Sequence, residues 1–282
     1  MPRPELPKLV ATDLDGTLVR SDDTVSAYTH AVLDRVRAAG IPIVGATGRG
    51  PRLTELTRND IRAADYLVLA GGGWVIDQRD PHGPVNLSER RIPGQVLGPL
   101  IADLEAAVGP LTVMVEALED PGASLWGDYD PAWRYPERFE ARPRHECVVG
   151  DVIKAFARHP DRHVDDLLAV AQRVAGDRAT VTQAGLGFIE ILPPGADKAA
   201  GLKIVTDALG LEPADVLVFG DQPIDLAMFA WAGWGRVAVA NAHPAVRAAA
   251  DHVAASNDAD GVARYLDALL ARPQAAPQPR AA

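Results

Sequence analysis

A chain of 282 residues with 48% hydrophobic and 23% charged residues has the composition of a folded globular protein, long enough for one large domain or two modest ones. Its single cysteine, Cys147, excludes an internal disulfide and a thiolate zinc cluster. A formal charge of −10 argues against a general binder of nucleic acid or anionic membrane, because phosphate polymers are held by a surplus of Lys and Arg. It leaves room for a small phosphorylated partner, which senses only the local field. No apolar run reaches the ~18 residues of a membrane span. Met1 to Leu9 is polar and proline-bearing, without the apolar centre of a signal peptide. A cytoplasmic protein with no nucleic-acid or membrane partner is the expectation, and the sequence fixes no oligomeric state.

In chain order, Leu9 to Thr12 is a short apolar strand that ends at Asp13. A helix follows over Thr24 to Ala39, with Tyr28, Val32, Val36 and Ala39 at helical spacing and Gly40 as its stop. Ile41 to Ala46 and Tyr66 to Ala70 are continuous apolar runs, the pattern of a parallel sheet covered on both faces. From about Asp80 to Leu192 the chain is richer in Arg and aromatics. There Val152 to Ala157 predicts a strand and Val164 to Val174 a helix. Thr180 to Thr182 and Phe188 to Leu192 predict a hairpin around Gly185 and Gly187. The first pattern then returns, with a helix over Lys198 to Leu209, strands over Val216 to Phe219 and Arg236 to Ala240, and helices over Pro244 to Ala250 and Val262 to Leu270. The expected organisation is one α/β domain in two parts, 1–79 and 193–271, with a second α/β domain inserted as 80–192 between Pro- and Gly-rich joints. A disordered tail is expected over 272–282.

The strongest chemical signal is Asp13-Leu14-Asp15-Gly16-Thr17-Leu18, placed where the first strand ends. Carboxylates at i and i+2 on a strand exit can serve one site, Gly16 permits a tight turn behind them, and ligands of α/β sheets sit beyond the carboxyl ends of the strands. A solvated acidic loop or a calcium loop are the alternatives, although an EF-hand would need flanking helices and a terminal Glu.

Three further segments fall at strand ends or helix starts in a fixed order: Ala46-Thr47-Gly48-Arg49, Gly195-Ala196-Asp197-Lys198, and Phe219-Gly220-Asp221-Gln222-Pro223-Ile224-Asp225, followed by Asn241-Ala242-His243-Pro244. Together with the Asp13 motif, they make the chain resemble the haloacid-dehalogenase superfamily of phosphohydrolases, in its Cof-like branch, from about Leu9 to Leu270. The resemblance implies a Rossmann-like, doubly wound parallel α/β sheet with an inserted α/β cap. It also implies a Mg²⁺-dependent phosphatase acting on a small phosphorylated metabolite, a sugar phosphate or similar phosphomonoester, through an aspartyl-phosphate. Carried over, Asp13 is the nucleophile and Asp15 the acid–base group. Lys198 is the cation beside the phosphoryl oxygens. Thr47, with Gly48, Arg49 and Asn241, lies on the substrate side. Asp13, Asp15, Asp221 and Asp225 form the Mg²⁺ site, Asp225 also holding Lys198. A covalent intermediate divides one hard displacement into two easier ones, and four aspartates against one lysine leave a cluster that calls for a hard cation.

A phosphotransferase or mutase of the same superfamily stays open, as does a phosphometabolite-binding regulator without turnover. Dehalogenation has no need of Asp15, and a membrane pump lacks its spans. Ile224 stands where the family usually has Asn, and Gly71-Gly72-Gly73-Trp74 where it has a polar turn. Asn241 follows Ala240 where a Gly is usual. In the insert, Trp126, Tyr129, Trp133, Tyr135 and Phe139 interleave with Arg134, Arg138, Arg142 and Arg144. They read either as the insert's own core or as a surface that meets the leaving group. His145, His159 and His163 read as surface residues and Cys147 as an inert small side chain.

Overall fold

Short, wholly buried apolar strands form the centre of the larger sheet in the computed structural model, which describes residues 6–117, 124–133, 139–183 and 187–272. The chain first lays down β1 (Leu9–Thr12), β2 (Ile43–Ala46), β3 (Tyr66–Leu69), β4 (Trp74–Asp77) and β5 (Val85–Glu89). It then makes β6 (Thr112–Glu116), β7 (Leu125–Gly127), β8 (Phe139–Ala141), β9 (Lys154–Arg158), β10 (Thr180–Gln183) and β11 (Ile189–Leu192). It returns with β12 (Val216–Gly220), β13 (Gly235–Ala238) and β14 (His252–Val253).

The larger sheet has the order β14-β13-β12-β1-β2-β3-β4-β5. It is parallel from β14 to β3, with β4 and β5 added antiparallel at one edge. Every residue of β1, β2, β3 and β12 is buried, as continuous apolar strands covered on both faces require. The smaller sheet, β10-β11-β9-β6-β7-β8, is antiparallel except for the β7–β8 pair. The doubly wound α/β architecture with a second α/β unit is therefore present.

Several expectations need correction. Val85–Glu89, assigned above to the insert, pairs with β4 in the larger sheet, so the chain leaves that sheet after Glu89 and not at Asp80. The helix after β1 is Ala27–Ala38, capped by Ser26, whose Oγ accepts from the Thr29 N–H at 3.0 Å. Its buried side is Thr29, Val32, Leu33 and Val36. Tyr28 lies outside that side and donates its hydroxyl to Asp267 at 2.9 Å. The helix Gly94–Val108 was not anticipated, because Gly94, Gly98 and Pro99 interrupt its pattern. Its Leu97, Leu100, Ile101, Leu104 and Val108 are nevertheless buried at helical spacing. Arg134, Tyr135, Arg138, Gly185 and the tail beyond Arg272 lie outside the described residues. His145 and His163 are exposed, and Cys147 is buried, which pushes its thiol up.

Strand alternation gives the smaller sheet two unlike faces. Val113, Val115, Ala155, Ala157, Ile189 and Ile191 pack against the helices Gly94–Val108 and Val164–Ala175. Met114, Glu116, Lys154, Phe156 and Glu190 take the opposite parity, and that face meets the loop after β2. There Lys154 Nζ donates to the Gly48 carbonyl at 2.5 Å, and Glu116 Oε1 accepts from the Arg52 N–H at 3.0 Å. Among the described residues, no helix is long and apolar enough to cross a membrane.

Candidate active site

The chain leaves β1 toward β2 on one side, while β12 pairs with β1 on the other. Their carboxyl ends therefore open a crevice of the kind that holds ligands in doubly wound sheets. Asp13 follows β1, Thr47 follows β2 and Asp221 follows β12, and all three are buried. The Asp13 N–H donates to the Phe219 carbonyl at 3.0 Å, which fixes the turn. Gly16, at φ +82°, lets the loop pass Asp221, where a Cβ would come within 2.6 Å of its carboxylate.

Lys198 is the first residue of the helix Lys198–Leu209, capped by Asp197, whose Oδ1 accepts from the Ala200 N–H at 2.7 Å. A cation at the positive end of a helix dipole is unfavourable by itself. Here it is offset by two carboxylates, Asp13 Oδ1 at 2.5 Å and Asp225 Oδ1 at 2.6 Å, with Lys198 fully buried. Gly71 and Gly72 have φ of +60° and +104°, and a Cβ on Gly72 would overlap the Asp197 carbonyl. The glycine turn after β3 thus serves close backbone approach to the Lys198 helix. Ile224 is half-buried beside Gly71.

Burial drives the Asp13 carboxyl well above its ordinary value; Lys198 opposes this, and Asp225 and Asp221 add to it. Burial and then Asp225 raise Asp221, although Thr17 Oγ1 and Gln222 Nε2 each donate to it at 2.8 Å. Burial pulls Lys198 down, yet Asp13 and Asp225 together carry it above its ordinary value. The carboxylates of Asp13, Asp221 and Asp225 bring oxygens within 4.8 Å of one another. Hard oxygen donors, two of them disfavoured as anions, fit a hard divalent cation.

The remaining expected residues divide. Asp15 is half-exposed and its carboxylate is gripped by Arg49, Nε to Oδ2 at 2.9 Å and Nη2 to Oδ1 at 2.6 Å; it stands apart from the three-carboxylate group. Arg49, expected on the substrate side, also donates to Asp60 at 2.6 Å, so its guanidinium orients Asp15. Asn241, expected there too, donates to the Gly16 carbonyl at 2.7 Å and accepts from the Asn257 N–H at 3.0 Å. It braces the Asp13–Asp15 loop. Thr47 is buried and its Oγ1 accepts from the Arg49 N–H at 3.1 Å, which leaves its own hydroxyl hydrogen to donate. Asp225, expected both to bind metal and to hold Lys198, also takes the N–H groups of Asp221 and Gln222 on Oδ2 at 2.9 and 3.0 Å.

Residues not singled out from the sequence complete the site. An open cleft joins Asp15, Gly48, Arg49, Gly50, Arg52 and Leu53 to Glu116, Trp133, Lys154, Phe156 and Glu190 of the smaller unit. Gly50 lies close under Glu116, where a Cβ would press on the carboxylate. The aromatic segment splits. Trp133 stacks edge-on against Phe156 and Phe188, at 4.7 and 5.1 Å between centroids, and lines the cavity. Trp126 packs on the helix side of the smaller sheet under the Arg142 guanidinium at 3.9 Å. Tyr129 is 70% exposed.

The sequence pattern of the haloacid dehalogenase-like hydrolases matches residues 10–266. The chain belongs to that family. Within these hydrolases, it is 28% identical over 272 residues to the 5-amino-6-(5-phospho-D-ribitylamino)uracil phosphatase YitU of Bacillus subtilis, with 92% of this chain and 96% of that protein covered. It is 42% identical over 282 residues to the chloroplastic endoribonuclease YBEY of Arabidopsis thaliana, but covers only 44% of that protein. A solved haloacid dehalogenase subclass IIB sugar phosphatase superposes with a TM-score of 0.77 at 20% identity, covering 93% of this chain and 98% of its own. This hydrolase is an enzyme of the phosphatase type, in the Cof-like branch.

Proposed function

We propose that the protein is a Mg²⁺-dependent phosphatase that hydrolyses a small phosphomonoester through an aspartyl-phosphate on Asp13. The observation that carries this is the buried Lys198 bridging Asp13 and Asp225, with Asp221 beside them. One Asp13 oxygen is held by Lys198, and the carboxylate is poised at a strand end with little solvent around it. It attacks phosphorus as the ester oxygen leaves, and Asp15, oriented by Arg49, gives that oxygen its proton. Asp15 then takes a proton from the water that attacks the acyl phosphate, which frees phosphate and restores Asp13. Thr47 donates to a phosphoryl oxygen, and Lys198 neutralises charge on the same group. Asp13, Asp221 and Asp225, with the backbone near Asp15, would hold Mg²⁺, which screens the carboxylates from the phosphate when bound. Phosphate release from acetyl phosphate, with and without Mg²⁺, tests this reading. Turnover only with Mg²⁺, lost in Asp13→Asn, is expected; turnover in Asp13→Asn within tenfold of wild type would overturn it.

A further inference from the structure

The candidate active site is approached from two sides. Among the described residues, the cleft facing the smaller unit is lined by Asp15 but by none of Asp13, Asp221 and Asp225. A second, polar pocket lies under the loop that follows Asp13. Asp15, Ser21 and Asp23 line it on the loop side, with Asp221, Gln222 and Asn241 opposite. Asp15 is the one residue common to the two linings, so the approaches are distinct. The second meets Asp221, a member of the carboxylate group that fits a divalent cation.

Hydrogen bonds fix the walls of this pocket. Asn241 Nδ2 donates to the Gly16 carbonyl at 2.7 Å, and the buried Asn257 donates its side-chain amide to the Val19 carbonyl at 3.0 Å. Further along, Ser21 donates its N–H and its hydroxyl to Asp258, at 2.8 and 3.0 Å. Arg20 is held by Asp260 at 2.7 Å. Ser21 and Asp23 are exposed and form the mouth. Asp221, 2% exposed, forms the inner end, with Gln222 Nε2 on its Oδ2 at 2.8 Å. Gly16 is the threshold between them, since a Cβ there would come within 2.6 Å of the same oxygen.

The two linings offer a cation different things. The cleft sets Arg49, Arg52 and Lys154 against Asp15, Glu116 and Glu190. The pocket sets Asp15, Asp23 and Asp221 against Arg20 alone, and Arg20 is engaged by Asp260. Walls of one sign concentrate the opposite ion and raise its rate of entry. Mg²⁺ sheds its waters reluctantly, and the hydroxyl and amide groups of Ser21, Gln222 and Asn241 suit an ion that travels hydrated.

We propose that the divalent cation enters and leaves the Asp13, Asp221 and Asp225 group through this pocket, past Asp23 and Gln222, while the cleft admits the organic part of the substrate. The proposal deepens the phosphatase reading above and rests on its metal. Loading then needs no passage through the cleft, so the cation exchanges whether or not the cleft is filled.

Mn²⁺ serves as the probe. Stopped-flow mixing with a fluorescent chelator reads association and release, and equilibrium dialysis reads Kd. Ser21→Trp places an indole at the mouth. It should slow association and release together by about tenfold and leave Kd within about twofold, because a barrier common to both directions moves no equilibrium. Ser21→Ala loses the hydroxyl bond to Asp258 without filling the pocket, and should keep both rates. Asp23→Asn removes one charge from the mouth, and Asn accepts the left-handed backbone found at Asp23, φ +60°. It should slow association about threefold at low salt and less at high salt. Leu53→Trp narrows the cleft instead and should leave both Mn²⁺ rates unchanged.

Unchanged Mn²⁺ rates in Ser21→Trp would overturn the proposal, as would slower rates in Leu53→Trp. A weaker Kd in Ser21→Trp with association unchanged would also overturn it, by making the loop part of the metal's support rather than its path. A wild type that binds no Mn²⁺ would strike the metal reading and the route with it. Firm binding with rates indifferent to Ser21 and Asp23 would strike the route alone.

Discussion

Two of the places where charge is buried are built on opposite plans. At the carboxyl end of the larger sheet, Asp13, Asp221 and Asp225 share one lysine, so like charges crowd and the carboxyls of Asp13 and Asp221 are pushed upward. On the inward face of the smaller sheet, Lys154 meets Glu190 and Arg52 meets Glu116, so each cation faces its own carboxylate. The first arrangement is electrostatically unfinished and calls for a cation and a phosphoryl group. The second is nearly balanced in charge. On the function proposed above, the imbalance belongs to the residues that make and break bonds.

The sharpest way to break this contrast is Asp13→Asn. It should lower turnover about a thousandfold or more, on the scale of losing a nucleophile, with circular dichroism unchanged, as measured by phosphate release at saturating Mg²⁺. Lys198→Met should also abolish turnover, and should in addition destabilise the fold by about 3 to 5 kcal/mol, because it leaves Asp13 and Asp225 buried without their shared cation; urea unfolding reads this. The pH dependence carries a definite sign. The folded Asp13 carboxyl binds its proton more tightly than its ordinary value of 3.8 allows. The Asp13 contribution to metal-free stability should therefore be fullest below that value and be lost as the pH rises through the raised one, while carboxyls held below their ordinary value, among them Asp77 and Asp260, act in the opposite sense at low pH. Mg²⁺ needs the ionised carboxylates, so its stabilising effect should grow over the same interval. Melting temperatures across that range, with and without Mg²⁺, measure both trends, and Asp13→Asn should flatten them.

Smaller effects separate the two tryptophans. Trp133→Ala should lower kcat/KM about tenfold for a sugar phosphate and spare acetyl phosphate, the size of one lost aromatic contact. Trp126→Ala should leave both activities unchanged and cost about 1 to 2 kcal/mol of stability through its packing and its Arg142 stack. If Trp126→Ala changed selectivity instead, the division of the smaller sheet into a helix side and a cavity side would be wrong.

The half of the site that lies on the larger sheet was readable because its residues sit at strand ends within short motifs. Asp13, Thr47, Lys198 and Asp221 each follow a buried apolar run or open a helix, and the topology needs little more to bring them together. Glu116, Lys154 and Glu190 were not readable. A charged residue alternating with apolar ones on a strand ordinarily faces water, and no local signal says that another unit covers that face. The available clue was the shared parity of Lys154 and Phe156 with Met114 and Glu116, which registers only once the strands are paired. Arg49 and Asn241 are legible as positions, but their bonds to Asp15 and Asp60 and to the Gly16 carbonyl are not, because a motif fixes position and leaves the direction of a long or amide side chain to its neighbours. The helix Gly94–Val108 is not legible in the sequence because Gly98 and Pro99 break its pattern; tertiary packing of its leucines outweighs the poor propensity of those two residues.

The close approach of Gly72 to the Asp197 carbonyl bears on how a mutational scan of this enzyme should be interpreted. Any side chain at Gly72 would push on the residue that caps the helix carrying Lys198, and so move the ammonium away from Asp13. A saturation library scored by turnover would then rank Gly72 among the least tolerant positions, level with residues that touch phosphorus, although it has no functional group at all. Intolerance to substitution measures clearance as readily as chemistry, and Gly72 is where the two are easiest to confuse.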